Sequence, residues 1–206
     1  MYSKLWNGDR RPILASKSAT RRALLEAAGL DCEIVVQEID ERAVEANFLA
    51  SGGNVDALAV VLARAKALAV SEVQMGRYCL GADQVLILDG GVFHKPSTRD
   101  EARRHIARLS GRTHILSSAF AIARDGMIFH QDVDCAGLTM RSLSEAQIEL
   151  YLDIAGDAVF ASVGGYQLES LGVHLFERVD GDYTTILGLP MFKLLSWLRR
   201  YDMLLL

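Results

Sequence analysis

Apolar runs of different lengths alternate along the chain and predict the order of strands and helices. Short apolar runs bounded by turn residues are typical of strands, and longer Ala- and Leu-rich stretches that follow a Ser, Thr or Asn are typical of capped helices. These patterns predict strands at residues 11–16, 32–36, 78–88, 113–123, 127–140 and 173–178, and helices at 19–28, 54–74, 98–109, 144–154 and 189–201.

Two Asp-Gly pairs predict tight hairpins, because both central residues of such a turn need positive φ. Asp89-Gly90 follows the third predicted strand, and Asp125-Gly126 joins the fourth to the fifth. The hairpins make some neighbouring strands antiparallel, while helices and strands still alternate, so the expected fold is α/β with a mixed sheet. Residues 1–206 contain no internal repeat and no linker, and we expect a single domain.

The composition excludes several classes of protein. Of the 206 residues, 50% are hydrophobic and only 3 are Cys, which argues against a disordered chain and against a disulfide-stabilised scaffold. The most apolar helical stretch, 55–74, is interrupted by Asp56, Arg64, Lys66 and Glu72, and the first residues are polar. We therefore expect no membrane span, no signal peptide and a cytoplasmic location.

The net charge limits the kind of anion that the protein is expected to bind. The chain has 22 Lys and Arg against 26 Asp and Glu, which gives −4 at pH 7. Stable binding to nucleic acid usually requires an excess of basic residues, so it is not expected here. A small polyanion would need only a local cluster of cations.

One acidic residue interrupts the most apolar predicted strand. Asp83 lies within Cys79–Leu88, whose other residues are almost all apolar, as in a strand that is buried on both faces. A buried carboxylate is costly unless it pairs with a cation, binds a metal or faces a pocket. Asp83 is therefore either a structural ion-pair residue or a general base or metal ligand.

A candidate anion site follows the first predicted strand. Ser16, Ser18, Arg21 and Arg22 surround the start of a helix, where free backbone N–H groups and the helix dipole favour anions. Arg side chains can bind two phosphate oxygens at once. The same residues also fit an ordinary capped helix with nearby Arg side chains, and both interpretations stay open.

Three more features have both a functional and a structural interpretation. Lys66 interrupts an Ala-rich helix, and Lys95 follows the first hairpin. Either could bind phosphate, or Lys66 extends along the helix surface to water and Lys95 is a solvated loop residue. The glycine-rich segment 163–172 carries Tyr166 and Glu169, which could stack on and hydrogen-bond to a flat polar ring, or it is a surface loop.

Several common catalytic motifs are absent, namely the Walker A loop, GxGxxG, GxSxG and HExxH, and the 5 His show no metal-ligand spacing. Asp83, together with Glu41, could instead hold a divalent metal or activate water. Four basic side chains are candidates for neutralising a triphosphate: Arg21, Arg22, Lys66 and Lys95.

Taken in order, the motifs resemble those of the Maf family of nucleoside triphosphate pyrophosphatases. They extend from about residue 11 to about residue 200: Ile13-Leu-Ala-Ser-x-Ser-x-x-Arg-Arg22, Ile39-Asp-Glu41, Lys66, Gly81-Ala-Asp-Gln84, Lys95-Pro96, Gly164-Gly-Tyr166 and Gly188-Leu-Pro190. The resemblance implies the α/β fold shared by Maf proteins and inosine triphosphatases, in which an elongated mixed sheet flanked by helices forms two lobes around a central cleft.

The resemblance also implies an activity. Maf enzymes are hydrolases that cleave the acid anhydride between the α and β phosphates of a nucleoside triphosphate, giving a monophosphate and pyrophosphate, with Mg²⁺ or Mn²⁺ as cofactor. Homodimers are common in the family. The suggested role is removal of non-standard nucleotides, with a link to cell-division arrest.

Matching the family motifs by position gives a role to each candidate residue. Asp83 matches the proton acceptor, and Glu41 and Asp83 are the carboxylates on the metal side. Thr20, Gln84 and Glu169 match the positions that select the base. The residues at phosphate-binding positions are Ser16, Ser18, Arg21, Arg22, Lys66 and Lys95.

The base preference stays open because the sequence departs from the nearest branch of the family. Gln84 and Glu169 are typical of the branch that acts on 7-methyl-GTP, whereas the branch for dTTP and UTP usually has Thr after the Asp. However, Thr20 replaces the large residue, typically Trp, of the 7-methyl-GTP branch, Ala19 replaces a usual Pro, and Ser170 replaces a common Gly. The alternatives to a pyrophosphatase are a nucleotidyltransferase and a non-catalytic nucleotide-binding regulator of cell division.

Overall fold

The backbone of residues 5–206, which the computed structural model describes, contains seven strands and seven α-helices. Strands β1–β7 are Ile13–Leu14, Glu33–Ile34, Cys79–Leu88, Gly91–Phe93, Thr113–Arg124, Met127–Met140 and Phe176–Asp180. Helices α1–α7 are Ala19–Ala27, Glu41–Ala50, Leu58–Ser71, Arg99–Leu109, Glu145–Ala155, Tyr183–Ile186 and Met191–Arg200. Short 3-10 turns form at Val55–Ala57, Gly156–Phe160, Val163–Gly165 and Leu171–Leu175.

The strands pair in the order β2-β1-β3-β5-β6-β7, and β4 pairs with β3. β1 is parallel to both β2 and β3, whereas β4 is antiparallel to β3 and β7 is antiparallel to β6. Both Asp-Gly hairpin turns form, with φ of 51° and 73° at Asp89 and Gly90 and of 51° and 75° at Asp125 and Gly126. The predicted α/β fold with a mixed sheet is therefore confirmed.

The described residues form two compact units. The first unit contains the chain up to Gln84, Ser118–Asp134 and Leu187–Leu206, and the second contains Val85–Ser117 and Cys135–Ile186. The chain passes from one unit to the other four times. These crossings lie within β3, β5 and β6 and directly after α6.

In the first unit, side chains from α1 and α7 share a hydrophobic core with β1, β3 and β5. Helix α3 packs on β3 at very short range, because Gly81 has no side chain. A Cβ atom on Gly81 would lie 2.2 Å from the carbonyl oxygen of Ala63 and 2.5 Å from the backbone nitrogen of Ala67. This close approach places the neighbouring residue of α3, Lys66, beside the middle of β3.

In the second unit, α4 and α5 cover a core that includes Leu86, Ile106, Leu138 and Leu152. The polar sides of the two helices are joined by Arg99, which pairs with Glu149 at 2.8 Å and with Asp153 at 2.7 Å. Such partly exposed pairs contribute little stability, so the buried side chains account for most of the packing energy.

The predicted helix N-termini are confirmed by their caps. The side-chain oxygens of Ser18, Asn54 and Thr98 each accept a backbone N–H from the first turn. Ser144 and Gln147 form the reciprocal capping box that the sequence predicts at the start of α5.

The sequence missed helices α2 and α6 and misplaced the bounds of two other elements. Helix α2 was missed, although Asp40 caps it by accepting from the backbone nitrogen of Ala43. The helix predicted at 54–74 begins with a 3-10 turn and is α-helical only over Leu58–Ser71. The apolar residues 173–175 belong to a 3-10 turn, and the strand predicted at 173–178 is Phe176–Asp180.

No helix within residues 5–206 is long and apolar enough to cross a membrane.

Candidate functional site

Asp83 lies in the middle of β3, which runs between β1 and β5 in the sheet. The residue is 7% exposed, and its Oδ1 accepts a hydrogen bond from Nζ of Lys66 at 2.5 Å. The buried carboxylate is therefore paired with a cation, as its cost of burial requires.

Lys66 connects Asp83 to a second carboxylate. Its Nζ is 3.0 Å from Oε1 of Glu41, the first residue of α2, and α2 packs against α3. The side chains of Lys66 and Asp83 are 15% and 11% exposed, whereas that of Glu41 is 50% exposed. We call Glu41 and Asp83 the carboxylate pair. Helices α2 and α3 and strand β3 thus bring Glu41, Lys66 and Asp83 into direct contact.

Arg21 joins three backbone segments next to the carboxylate pair. Its Nε donates to the carbonyl oxygen of Gly188 at 2.8 Å, and its Nη1 donates to the carbonyl oxygen of Ala82 at 2.9 Å and to Oγ of Ser16 at 3.2 Å. Arg21 therefore fixes the residue that precedes Asp83, in addition to placing a positive charge nearby.

The local electrostatics depend on burial and on the carboxylate pair. Burial lowers the pKa of Arg21, and the negative charges of Asp83 and Glu41 act in the opposite direction. Two carboxylates face one guanidinium and one ammonium, so the four charges balance. A polyanion that bound there would add negative charge to this balanced group, which favours uptake together with a cation.

The hydroxyl groups before α1 have structural roles. Oγ of Ser18 accepts the backbone N–H of Arg21, and Oγ of Ser16 accepts the backbone N–H of Ser18, both at 3.3 Å. Arg22 is exposed, and its Nε donates to Oε1 of Glu26 at 2.6 Å. Ser16 and Arg21 are therefore in contact with each other, whereas Arg22 is held by its own helix.

Two of the predicted base-selecting residues also belong to the first unit. Thr20 lies in the first turn of α1 and is partly buried. Nε2 of Gln84 donates to Oγ of Ser118 on β5 at 2.9 Å. Sequence reasoning missed Ser118, although Ser117-Ser118 interrupts an apolar strand in the same way as Asp83, and that interruption was a usable signal.

The other two predicted residues, Lys95 and Glu169, belong to the second unit. Lys95 is exposed between β4 and α4, and Glu169 is exposed before the 3-10 turn at Leu171–Leu175. A buried hydrogen bond holds the segment that carries Glu169. The hydroxyl of Tyr151 donates to the carbonyl oxygen of Gly165 at 3.1 Å, which fixes the backbone four residues before Glu169.

Glu41 and Asp83 are compatible with a metal ion that binds together with a phosphate-containing ligand. No group of three or more His, Cys, Asp or Glu side chains with metal-binding geometry occurs within residues 5–206. However, both carboxylates contact one cation, the ammonium of Lys66. Mg²⁺ in phosphate-handling sites typically needs only one or two carboxylates besides phosphate oxygens and water. The carboxylate pair therefore fits such a partial site.

Comparison with known proteins identifies the family. A family profile described as Maf-like protein matches residues 11–201, nearly the whole chain. The chain belongs to the Maf family. This match confirms the family resemblance of the sequence motifs and agrees with the mixed α/β fold.

Similar Maf relatives have two kinds of name. A protein of Nitrobacter winogradskyi, named nucleoside triphosphate pyrophosphatase, is 50% identical over 95% of this chain and 96% of its own length. A protein of Mesorhizobium japonicum, named 7-methyl-GTP pyrophosphatase, is 50% identical over 91% of this chain and 94% of its own length. The chain is thus equally similar to relatives of both kinds, and identity does not separate them.

Proposed function

We propose that this Maf protein is a nucleoside triphosphate pyrophosphatase that hydrolyses the bond between the α and β phosphates and releases a nucleoside monophosphate and pyrophosphate. The observation that supports the proposal best is the contact of Lys66 with both Asp83 and Glu41. It combines a buried carboxylate, a lysine ammonium and a second carboxylate in a chain whose relatives are named pyrophosphatases.

In the proposed reaction, the carboxylate of Asp83 accepts a proton from the water that attacks the α phosphorus. Lys66 and Arg21 supply positive charge against the phosphate oxygens, which gain negative charge in the transition state. Arg21 also holds the carbonyl group of Ala82, and this contact keeps Asp83 in place. Glu41 and Asp83 would hold Mg²⁺ or Mn²⁺, which when bound neutralises phosphate charge.

We propose a modified purine nucleotide, 7-methyl-GTP, as the first substrate to test, because Gln84 and Glu169 match that branch. Lys95 and Glu169 keep their predicted roles in phosphate binding and base selection. The cytoplasmic location, the homodimer, the absence of stable nucleic-acid binding and the roles in nucleotide-pool cleansing and cell-division arrest also remain predictions.

The test is the substitution Asp83→Asn. The variant keeps an oxygen that can accept from Lys66 but cannot accept a proton, so turnover should fall at least about 100-fold. Pyrophosphate release is measured with Mg²⁺ or Mn²⁺ and a panel that includes 7-methyl-GTP, dTTP and UTP. Asp132→Asn is the matched control, because Asp132 also pairs with a lysine, Lys193 at 3.2 Å, and should keep full activity.

The same experiment separates the alternatives. Pyrophosphate release at the wild-type rate by Asp83→Asn would remove the proposed base. A nucleotidyltransferase would form little monophosphate without an added acceptor, and a non-catalytic regulator would bind nucleotide without turnover. In ¹⁸O-labelled water, the proposed attack on the α phosphorus places the label in the monophosphate, whereas attack on the β phosphorus places it in pyrophosphate.

A further inference from the structure

We propose that Lys66 is an internal counterion that occupies the carboxylate pair in the substrate-free protein, so that a divalent cation binds there only by displacing it. This inference rests on the proposed function for the identity of the metal-side carboxylates. It adds a role to Lys66 that phosphate binding alone does not include.

The ammonium of Lys66 already contacts both carboxylates. Nζ of Lys66 is 2.5 Å from Oδ1 of Asp83 and 3.0 Å from Oε1 of Glu41. A hard divalent cation prefers the same carboxylate oxygens, at about 2.1 Å for Mg²⁺. An ammonium and a metal ion that shared these oxygens would repel each other strongly, because the side chains of Lys66 and Asp83 are largely removed from water.

Lys66 is held by fewer hydrogen bonds to the rest of the fold than Arg21, the other nearby cation. Arg21 is fixed by hydrogen bonds to the carbonyl oxygens of Gly188 and Ala82 and to Ser16. The Lys66 ammonium has both of its described contacts to the carboxylate pair, at the end of a flexible stem of four carbons. An incoming cation is therefore expected to displace Lys66 and to leave Arg21 in place.

Within residues 5–206, no third His, Cys, Asp or Glu side chain completes a metal site at the carboxylate pair, so further ligands must come from elsewhere. Once it leaves the pair, Lys66 is available to bind a phosphate oxygen as a point charge. The phosphates in turn would complete the coordination of the cation, so nucleotide and metal should each strengthen the binding of the other. Without nucleotide, the metal must compete with Lys66 and should bind weakly.

The experiment measures Mn²⁺ binding to the full chain without nucleotide, by electron paramagnetic resonance of the free ion. Lys66→Met should bind Mn²⁺ at least about tenfold more tightly than the wild type, because a competing cation is removed. Lys66→Gln, which keeps a hydrogen-bond donor for Asp83, should show the same gain. Adding Glu41→Gln to Lys66→Met should abolish the gain, which would locate it at the carboxylate pair.

The matched control is Lys17→Met, which removes the same charge from an exposed position of the first unit. It should change the Mn²⁺ affinity less than twofold. The proposal is overturned if Lys66→Met and Lys66→Gln bind Mn²⁺ no more tightly than the wild type, or if Lys17→Met gains as much. A folded wild type that releases no pyrophosphate would refute the proposed function and leave these binding results intact.

A second measurement uses the wild type, in which no side chain is altered. An amine-acylating reagent and mass spectrometry report how accessible each lysine is. Saturating Mn²⁺ should raise the acylation rate of Lys66 at least threefold and leave that of Lys193, which pairs with Asp132, unchanged. An unchanged rate at Lys66 would show that it stays on the carboxylate pair and would contradict the proposal.

Discussion

Arg21 illustrates how one side chain can combine a structural and an electrostatic role. Its hydrogen bonds reach the carbonyl groups of Gly188 and Ala82, which are far apart in the sequence. Each is a bond from a charged donor, and such bonds contribute more than neutral ones. The planar guanidinium donates in several directions at once, which the single ammonium of a lysine cannot do with the same geometry.

We therefore expect Arg21→Lys to lower the free energy of unfolding by about 2 kcal/mol, although the charge is kept. The turnover number should fall as well, because the carbonyl group of Ala82 loses its donor beside Asp83. Urea unfolding and pyrophosphate release measure the two effects. Arg22→Lys is the control for stability, because Arg22 is exposed and forms its described ion pair with Glu26, a residue of the same helix. Equal stability of the two variants would contradict this role of Arg21.

The sequence indicated that a buried charge needs a partner, but it did not indicate which residue that partner is. The cost of burying a charge was enough to predict that Asp83 needs a cation, a metal or a pocket. It could not select Lys66 among the four candidate cations, because that choice depends on how α3 packs on β3. Two of the three acceptors of Arg21 are the backbone carbonyl oxygens of Gly188 and Ala82, and the folded chain sets the positions of these two oxygens.

At the scale of elements, the distance between α3 and β3 decides where Lys66 lies. A Cβ atom on Gly81 would overlap backbone atoms of Ala63 and Ala67, so the close approach of the helix depends on the glycine. The short distance between α3 and β3 brings Lys66 within reach of the buried Asp83. An outward displacement of α3 would lengthen this ion pair.

Gly81→Ala should therefore lower both stability and activity. The added methyl would overlap the backbone of α3, and such overpacking costs about 1–3 kcal/mol of the free energy of unfolding. Outward movement of α3 should also reduce kcat/KM for pyrophosphate release. Gly137→Ala in β6 is the matched control, because the nearest atoms to its Cβ would lie at 3.9 Å, an ordinary contact. A fully stable Gly81→Ala variant would show that α3 does not need this close approach.

The elements that the sequence missed or misplaced lack the pattern on which prediction depends. None of the residues of α2 is fully buried, so it has no continuous apolar face to mark it as a helix. Four of the five residues of β7 are exposed, and the apolar residues just before it belong to a 3-10 turn. By contrast, caps and Asp-Gly turns are local signals, and these predictions were confirmed.

At the scale of the whole molecule, the pH dependence of stability is expected to depend on a buried histidine. His114 is 1% exposed in the core of the second unit, and its Nε2 is 2.6 Å from the hydroxyl of Tyr166. Burial lowers the pKa of His114 from its ordinary 6.5 to about 4. Between pH 6.5 and about 4, the histidine of the unfolded chain binds a proton that His114 of the folded protein does not bind, so acid favours unfolding.

The free energy of unfolding should therefore fall by about 3 kcal/mol as the pH drops from about 7.5 to 4 through His114 alone, with little contribution above about 7.5. Burial lowers the pKa of His105 and His130 as well, and they act in the same direction, so the effect of His114 is isolated by comparison with His114→Gln. This variant keeps a polar partner for Tyr166 and should be less stable at pH 7.5, but it should lose less stability between pH 7.5 and 4.5 than the wild type. Urea unfolding at each pH measures the difference, and parallel curves for the two proteins would show that His114 protonates as easily in the folded state as in the unfolded chain.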